Sequence, residues 1–240
     1  MQAGEENKTD NWNFFDRVYC ISVHERADRR KQVQQEFAGV GLLDRVEFVL
    51  VKRHPRNREQ GIFESHILCL RKGLADGAQT MLVFEDDVFF RGFSGSNMVD
   101  ACMSLAALPG WEAFFLGCIT SGSQRLGRGS LAKVRYRCLS HGYAVHRDFA
   151  EKIAGKKWQG VPYDTMLKQE GGSYYALFPM CAFQGIAGSD NQTVAIDRLR
   201  RLCGGLPFLQ RINEFYQNNK KALWLTHLLL VGLLAFWWLR

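Results

Sequence analysis

The chain has 240 residues, of which 47% are hydrophobic and 23% are charged, and it carries a formal net charge of +7 at pH 7. This composition excludes a largely disordered protein, and the length accommodates one large domain with an appendage. The basic excess is concentrated in residues 24–58 and 125–137, and the second segment contains no acidic residue. The basic excess favours a phosphate-bearing partner, namely a nucleotide, a nucleic acid or an anionic lipid, although a solvated basic face would have the same composition.

The cysteines and the N-terminal segment indicate an intracellular protein. Seven cysteines are scattered without a Cys-x-x-Cys pair or a spacing that suits zinc, which favours reduced thiols and a cytosolic environment. Residues 1–15 are mostly polar and contain no long apolar run. We therefore expect a flexible N-terminus and no secretory signal peptide.

Strand-like and helix-like segments alternate along the chain, which is typical of an α/β domain. Strands are predicted at 17–23, 46–51, 80–85, 111–117, 133–139 and 173–179. Helices are predicted at 28–41, 62–75 and 97–108, the last capped by Ser96, with shorter ones near 147–155 and 163–169. Because residues 80–85 form an apolar run, we expect a central parallel strand that is buried on both faces.

Three consecutive carboxylates, Glu85, Asp86 and Asp87, stand at the carboxyl end of this central strand. Since side chains alternate along a strand, we expect Glu85 and Asp87 to face one way and Asp86 the other. Open α/β sheets bind ligands at this end of their strands, and clustered carboxylates suit Mg²⁺ or Mn²⁺ that bridges to phosphates. The alternative is an acidic turn neutralised by water and a nearby arginine.

The last predicted element is an apolar helix. Residues 222–239 read ALWLTHLLLVGLLAFWWL, without a charged side chain, and would span about 27 Å as a helix, against about 30 Å of bilayer hydrocarbon. We therefore predict a transmembrane tail anchor, preceded by a basic juxtamembrane linker at residues 211–221. The basic residues on the near side would keep the folded domain on the cytoplasmic face of the inner membrane. A buried core helix is the alternative.

Six segments, in order along the chain, carry a family resemblance: VYCISVHERADRR, GIFESHILCLRKGL, LVFEDDVFF, HGYAVHRDFAEKIAG, PYDTML and YALFPMCAFQGIAGSD. Together they resemble glycosyltransferase family 25, which includes lipopolysaccharide-core glycosyltransferases and collagen galactosyltransferases. The resemblance extends from about residue 17 to residue 193. One departure is that Phe63 and Glu64 stand where the family commonly has Gly-Cys before Ser65 and His66.

The resemblance implies a GT-A-like domain at residues 16–210, with a Rossmann-like nucleotide-binding half and a mixed, mostly parallel sheet. It implies inverting, Mn²⁺- or Mg²⁺-dependent transfer of a hexose, most commonly galactose, from a nucleotide sugar such as a UDP-hexose. The acceptor would be a glycan or glycolipid such as lipopolysaccharide core, and no nucleic acid is expected. Glu85 and Asp87 would form the metal-binding pair, with Asp86 or Glu85 reaching the ribose or the sugar.

The remaining site residues follow from the same segments. Arg26, Asp28, Arg29, Ser65 and His66 would bind the nucleotide; His141, Gly142 and Tyr143 would shape the donor-sugar pocket; Asp164 would be the general base; and Asp190 would be a second metal or phosphate ligand. These residues also have structural alternatives. The arginines and Asp28 could be ordinary charges at a helix start, His66 a hydrogen-bonded core histidine, and Gly142 part of an ordinary turn. Asp164 could be an acid that complements a helix dipole, and Asp190 a turn aspartate.

Two other classes of function remain open. A Mg²⁺-dependent phosphohydrolase with an aspartyl nucleophile also places acids at a strand end, but its usual hydroxyl residue is missing, since Val88 and Phe89 follow the acids. The other is a non-catalytic, membrane-bound module that binds anionic glycans or nucleic acid through its basic loops.

Overall fold

A computed structural model describes residues 10–185 and 205–238. The strands are β1 Arg17–Val23, β2 Val46–Val51, β3 Thr80–Glu85, β4 Val88–Phe90, β5 Ala113–Phe115, β6 Ile119–Arg125, β7 Leu131–Cys138, β8 Gly142–His146, β9 Tyr174–Leu177 and β10 Ala182–Gln184. The helices are α1 Ala27–Gly39, α2 Arg58–Ala75, α3 Gly95–Ala106, α4 Arg147–Ala154, α5 Tyr163–Glu170 and α6 Gly205–Trp238.

The core of the fold is one eight-stranded sheet with the strand order β2-β1-β3-β8-β5-β9-β7-β6. Strands β1, β2 and β3 are mutually parallel, whereas β8 lies antiparallel between β3 and β5. Strand β9 is parallel to β5, and the β7–β6 hairpin completes the far edge. The prediction of an α/β fold with a mixed, mostly parallel sheet and a C-terminal apolar helix is therefore confirmed.

Strand β3 is apolar between its polar ends, Thr80 and Glu85, because helices cover both faces of the sheet. Met81 and Val83 belong to the buried cluster that includes side chains of α2, α4 and α5. Leu82 and Phe84 belong to the cluster on the opposite face, which includes side chains of α1 and α3. The alternation follows from the two-residue repeat of a strand. As a result, β3 delivers its carboxyl end, and the acidic residues there, to a fixed edge of a closely packed domain.

The folded domain begins earlier than the sequence predicts. Trp12 and Phe15, both within the segment predicted to be flexible, are fully buried. The indole Nε1 of Trp12 donates a hydrogen bond of 2.9 Å to the carbonyl of Val40, and its ring stacks on Phe93. Burial of large aromatic side chains is strongly favourable. The mostly polar sequence around Trp12 and Phe15 gave no indication that both belong to the core.

Two helix starts also differ from the prediction. Helix α2 begins at Arg58 because the side chain of Asn57 accepts a hydrogen bond from the N–H of Gln60, one turn before the predicted start at residue 62. Helix α3 is capped by Ser94 rather than Ser96. Both errors have the same origin, since several residues near each start can serve as a cap and only the backbone geometry selects one.

The first part of α6 is not the linker that was predicted for residues 211–221. It is continuous helix, and it packs against β6 and β10. Its polar side chains bind backbone groups of the sheet domain: Gln210 the carbonyl of Ala182, Asn213 both the N–H and the carbonyl of Thr120, and Glu214 the N–H of Met180. Because β6 is an edge strand, the Asn213 amide occupies backbone groups that would otherwise be open to another strand.

The second part of α6 has the opposite character. From Ala222 to Trp238 every side chain that the structure describes is exposed, although nearly all are apolar. Among the described residues α6 is the one helix that is long and apolar enough to cross a bilayer.

Candidate functional site

A cleft of about 320 Å³ lies at the carboxyl ends of β1, β2 and β3, between the acidic turn after β3 and the start of α2. It is lined by Ile21, Val23, Arg26, Arg29, Val51, Lys52, Arg53, His54, Arg58, Gly61, Ile62, Ser65, His66, Glu85, Asp86 and Asp87. Five cations and three carboxylates thus share one concave site at the sheet edge where α/β proteins bind ligands.

Asp86 is the carboxylate most completely satisfied by the protein itself. Its Oδ2 accepts a 2.7 Å hydrogen bond from the buried hydroxyl of Ser22, and its Oδ1 accepts one of 3.3 Å from Arg29. Both partners come from the first strand and helix, so this carboxylate ties β3 to β1 and α1. Its contacts indicate a positioning role, since a paired buried charge is costly to disturb.

Asp87 is less well satisfied. Its Oδ2 lies 3.6 Å from Arg29 and accepts a 3.3 Å hydrogen bond from Gln184, but its buried Oδ1 has no hydrogen-bond partner among the described residues. Burial, followed by repulsion from Glu85, raises the pKa of Asp87 to about 7. The carboxylate therefore lacks one favourable contact, and a cation at this oxygen would supply it.

The expected alternation of the three acids is wrong. Asp86 and Asp87 both face Arg29, while Glu85 contacts His66 on α2. The reason is that β3 ends at Glu85, and the next two residues form a turn that leads into β4. The two-residue alternation of a strand does not apply within a turn.

A chain of polar contacts runs from Glu85 into the core. The Nε2 of His66 lies 3.5 Å from Oε1 of Glu85, and its Nδ1 lies 3.0 Å from the hydroxyl of Tyr143. That hydroxyl is 2.7 Å from the hydroxyl of Tyr163, whose ring stacks on the imidazole of His66 at 4.2 Å. Burial raises the pKa of Glu85, but attraction to His66, His141 and Arg58 outweighs it, so the net pKa is lowered.

Ser65 and His66 line the cleft, but not at a helix start as predicted. His66 lies eight residues into α2, where backbone N–H groups are bonded within the helix, and the Ser65 hydroxyl donates to the carbonyl of Gly61. Neither residue can present free N–H groups to an anion, so the imidazole of His66 acts on the site through Glu85 instead.

Of the residues after β1, Arg26 and Arg29 line the cleft, whereas Asp28 pairs with Arg26 at 2.8 Å on the exposed side of α1. This contact lowers the pKa of Asp28 to about 2. Arg30 donates to the carbonyls of Val23 and His24 and so secures the end of β1. Arg30 therefore stabilises the end of β1 and is not a cleft residue.

The predicted donor-sugar loop is buried rather than open. Tyr143 is fully buried in β8, and a Cβ at Gly142 would approach the Phe84 ring to 3.2 Å without any positive φ being involved. His141 is also buried, and neither ring nitrogen forms a hydrogen bond with a described residue. Burial lowers its pKa, opposed by the nearby Ala182 backbone and by neighbouring acids. These residues pack behind the cleft and do not line it.

Asp164 does not line the cleft. Its Oδ1 accepts a 2.6 Å hydrogen bond from the hydroxyl of Tyr136, and its Oδ2 accepts one of 2.9 Å from the N–H of Leu139. Leu139 has a positive φ of 78°, a conformation that is unfavourable for leucine. The carboxylate therefore stabilises the bend before β8, and its role as a base stays a prediction.

The residues present fit a divalent cation only in part. Within 10–185 and 205–238 no group of three or more His, Cys, Asp or Glu side chains is arranged to hold a metal, and Asp190 lies outside the described residues. The chemistry that favours a cation is the buried, unpartnered Oδ1 of Asp87 beside a second carboxylate, Glu85. Hard divalent cations prefer such oxygen donors and complete their shells with water and phosphate.

Sequence reasoning assigned no role to several cleft residues. Lys52 and Arg53 line the cleft from the segment between β2 and α2, and Arg58 lines it as the first residue of α2; the sequence indicated this region, within residues 24–58, only by its basic excess. The available signal was its position directly after a parallel strand, at the same edge as the acidic turn. Ser22 and Gln184, which bind the acids, gave no signal because their partners are 64 and 97 residues away along the chain.

A second cavity of about 580 Å³ lies on the other side of the acidic turn and is lined by Phe89, Arg91, Phe183, Gly185, Pro207, Phe208 and Arg211. Each arginine lies over a phenylalanine ring, Arg91 over Phe89 and Arg211 over Phe183. The N–H of Gly185, which lines this cavity, donates to the carbonyl of Asp87, which lines the cleft, so the two linings are in contact at this bond.

We expect His66→Gln to raise the pKa of Glu85, because burial of the carboxylate would no longer be offset by the imidazole. The pKa of the Glu85 carboxyl can be followed by carbon-13 NMR titration of selectively labelled protein. Tyr163→Phe is the matched control, since it keeps the ring that stacks on His66 and should leave the titration unchanged. An equal change in both variants would contradict the assignment.

No protein-family model and no curated protein matches the chain. Among solved structures, A197 from STIV matches at 15% identity and a TM-score of 0.45, covering 71% of this chain and 86% of that one. A glycosyltransferase involved in glycosylation of the major capsid of PBCV-1 matches at 14% and 0.40, covering 67% and 81%. Mannose-1-phosphate geranyltransferase from Thermus thermophilus matches at 12% and 0.40, covering 67% and 73%. At these values the similarities do not identify a family or an activity, and membership of family 25 stays a prediction.

Proposed function

We propose that this chain is a membrane-anchored glycosyltransferase. It would transfer a hexose from a nucleotide-sugar donor to a glycan or glycolipid acceptor, with inversion at the anomeric carbon. The observation that carries the proposal is the cleft at the ends of β1, β2 and β3, where five cations surround an acidic turn with one unsatisfied carboxylate oxygen. A nucleoside diphosphate matches this arrangement because its phosphates pair with arginine and lysine side chains.

In this proposal some of the basic cleft residues bind the nucleotide-sugar donor, and another pairs with the carboxylates of the acidic turn. Lys52, Arg53 and Arg58 are placed to receive the diphosphate, whereas Arg29 already bridges Asp86 and Asp87. Mn²⁺ or Mg²⁺, held by Asp87 and Glu85, would supply charge neutralisation for the diphosphate as it leaves. The protein's own cations stabilise the same developing charge, and the half-enclosed cleft strengthens their effect.

The acceptor would approach through the second cavity. Its phenylalanine rings offer flat apolar surfaces to sugar rings, and Arg91 and Arg211 offer donors to hydroxyl or anionic groups. The cavity is adjacent to both the acidic turn and the packed part of α6. An acceptor anchored in the same membrane as α6 would therefore reach the donor without leaving the lipid surface.

The acceptor hydroxyl must lose its proton to a base, and two carboxylates compete for this role. The resemblance favours Asp164, but both of its oxygens are bonded away from the cleft, whereas Glu85 lines the cleft and would take the proton with the carboxylate oxygen that does not hold the metal. We expect Glu85→Gln to reduce the turnover number by about 10²-fold or more, and Asp164→Asn to act mainly on stability. A larger loss of turnover in a folded Asp164→Asn variant would reverse the assignment.

The proposal is tested by incubating the full chain, in detergent, with a panel of nucleotide sugars and Mn²⁺ or Mg²⁺, with and without glycolipid acceptors. Release of nucleotide diphosphate that depends on both metal and acceptor is the expected result. Hydrolysis of simple phosphate esters would instead indicate a phosphohydrolase, and binding of polyanions without any turnover would indicate the non-catalytic module. Either of these results would overturn the proposal.

A further inference from the structure

The β6–β7 hairpin extends alongside α6 towards its apolar part. Thr120 on β6 binds Asn213, and Ser123 on β6 donates a 2.9 Å hydrogen bond to Asn218. Because Ser121 is left out of the pairing with β7, β6 advances by about two regular residues between these contacts, or about 7 Å, and the helix advances five residues, or about 7.5 Å. The strand and the helix therefore run in the same direction and nearly side by side.

The tip of the hairpin consequently extends past the level at which the charged part of α6 ends. From Ser123 to the turn at Gly127 the strand advances about 13 Å further, which corresponds to about nine residues of helix beyond Asn218. Lys220 and Lys221 are the last charged residues before the apolar stretch that begins at Ala222. If that stretch is in a bilayer, the headgroup layer lies near Lys220 and Lys221, level with the pair Gln124 and Lys133, and the turn at Gly127, level with about His227, reaches the boundary of the hydrocarbon.

The hairpin carries basic side chains that the fold does not use. Arg128, Lys133, Arg135 and Arg137 are exposed, and their charged groups make no hydrogen bond or ion pair with any residue that the structure describes. The last three alternate with buried residues of β7 and so share its solvent face. No acidic residue occurs between positions 125 and 137, so this surface repels cations and attracts anions.

We propose that the tip of the β6–β7 hairpin is a second membrane contact, and that its partner is the headgroup layer of anionic phospholipids. Lys133, which pairs in register with Gln124, lies level with Lys220, and Arg128 at the turn lies on the apolar side of that level. Arg137 lies further back, beyond the roughly 10 Å over which charges act at ordinary ionic strength. Each basic residue held near an anionic surface strengthens binding roughly fivefold.

This contact would determine the orientation of the cleft. A single transmembrane helix leaves the domain able to rotate and tilt, whereas a second contact, fixed to the helix through the Asn213 and Asn218 hydrogen bonds, restricts both motions. The inference rests on insertion of α6 and therefore on the membrane part of the proposed function. It does not depend on the sugar-transfer reaction.

The test uses the full chain in nanodiscs of phosphatidylcholine alone or with phosphatidylglycerol, with an environment-sensitive fluorophore on Gln124→Cys near the tip. Gln169→Cys on α5 is the control position, and the parent chain labelled in parallel supplies the background of its own cysteines. We expect emission to shift to shorter wavelength at position 124 when phosphatidylglycerol is present, with no shift at position 169. Arg128→Gln combined with Lys133→Gln should abolish the shift, whereas Lys157→Gln combined with Lys168→Gln, which removes the same charge elsewhere, should preserve it.

Three results would overturn the inference. A chain that fails to enter nanodiscs would remove its basis in α6. Equal emission in neutral and anionic nanodiscs would show that the tip does not contact anionic headgroups. A shift of the same size with short duplex DNA and neutral nanodiscs would identify nucleic acid as the partner. The metal-dependent turnover assay is independent of all three.

Discussion

Replacement of Asp87 by asparagine should stabilise the metal-free protein above pH 7 and should eliminate both its response to Mn²⁺ and its sugar transfer. The Asp87 side chain is only 13% exposed, and its pKa is raised to about 7, first by burial and then by the charge of Glu85. Asparagine has nearly the same shape and carries no charge. The substitution therefore removes an ionisation that is unfavourable in the metal-free protein together with the proposed metal ligand.

The pH dependence of this effect has a definite sign. Because the pKa of Asp87 is about 7 in the folded protein and 3.8 in its ordinary state, the folded protein retains a proton between these values that the unfolded chain has lost. The contribution of Asp87 to the free energy of unfolding therefore falls as pH rises from about 4 to 7 and is constant above that. Three pKa units correspond to about 4 kcal/mol as an upper limit.

Thermal or urea unfolding in a chelator at pH 5 and pH 8 measures this effect, as the difference between wild type and Asp87→Asn at each pH. The matched control is Asp86→Asn, which should lower stability at pH 8 by roughly 1–3 kcal/mol, because one of the two donors, Ser22 or Arg29, would lose its acceptor and Arg29 would lose a charged partner. Mn²⁺ should raise the melting temperature of the wild type and not that of Asp87→Asn. An Asp87→Asn variant that is less stable at pH 8, and that still responds to Mn²⁺ and transfers sugar, would refute the assignment.

The sequence predicts the elements that build the site better than the contacts within it. The apolar run at 81–84 identifies a buried central strand because both of its faces are covered, and the acids directly after it mark the functional edge. The division of those acids between Arg29 and His66 depends on where the strand ends, and a single turn residue decides that. No local sequence pattern locates the end of β3 to within one residue.

Contacts between distant segments were beyond prediction for a different reason. His66 and Tyr143 are separated by 77 residues, and Thr120 and Asn213 by 93. A buried histidine or asparagine has the same local sequence signal whether its partner is a ligand, a hydroxyl or a backbone group. Gly142 and Asp164 lie outside the cleft, because each meets a packing or backbone requirement that becomes visible only after the chain has folded, and their proposed roles stay predictions.

The two parts of α6 should behave oppositely when they are deleted. Removal of residues 222–240 should release a folded, soluble protein, because the side chains of the described residues from Ala222 onward are exposed and contribute nothing to the core. Removal of residues 205–240 should prevent stable folding. The second deletion withdraws Gln210, Asn213 and Glu214 from the backbone groups of Ala182, Thr120 and Met180.

The size of the second effect follows from the number of polar groups left without partners. A buried donor or acceptor that loses its partner costs about 1–3 kcal/mol, and three or more such losses are comparable to the whole stability of a typical domain, about 5–15 kcal/mol. The freed edge of β6 would also offer its N–H and carbonyl groups to another chain. We therefore expect aggregation of the shorter variant rather than a soluble, weakened monomer.

Fractionation and circular dichroism of the two deletions distinguish these outcomes, and Asn213→Ala in the 222–240 deletion isolates the contact with the sheet edge. We expect that variant to remain folded with a lower melting temperature, because Thr120 alone loses its partner. If the chain without 222–240 stayed with the membrane fraction, the apolar part of α6 would not be the anchor. If the chain without 205–240 were soluble and cooperative in unfolding, the first part of α6 would be a linker after all, and nothing would hold the cleft at a fixed angle to the bilayer.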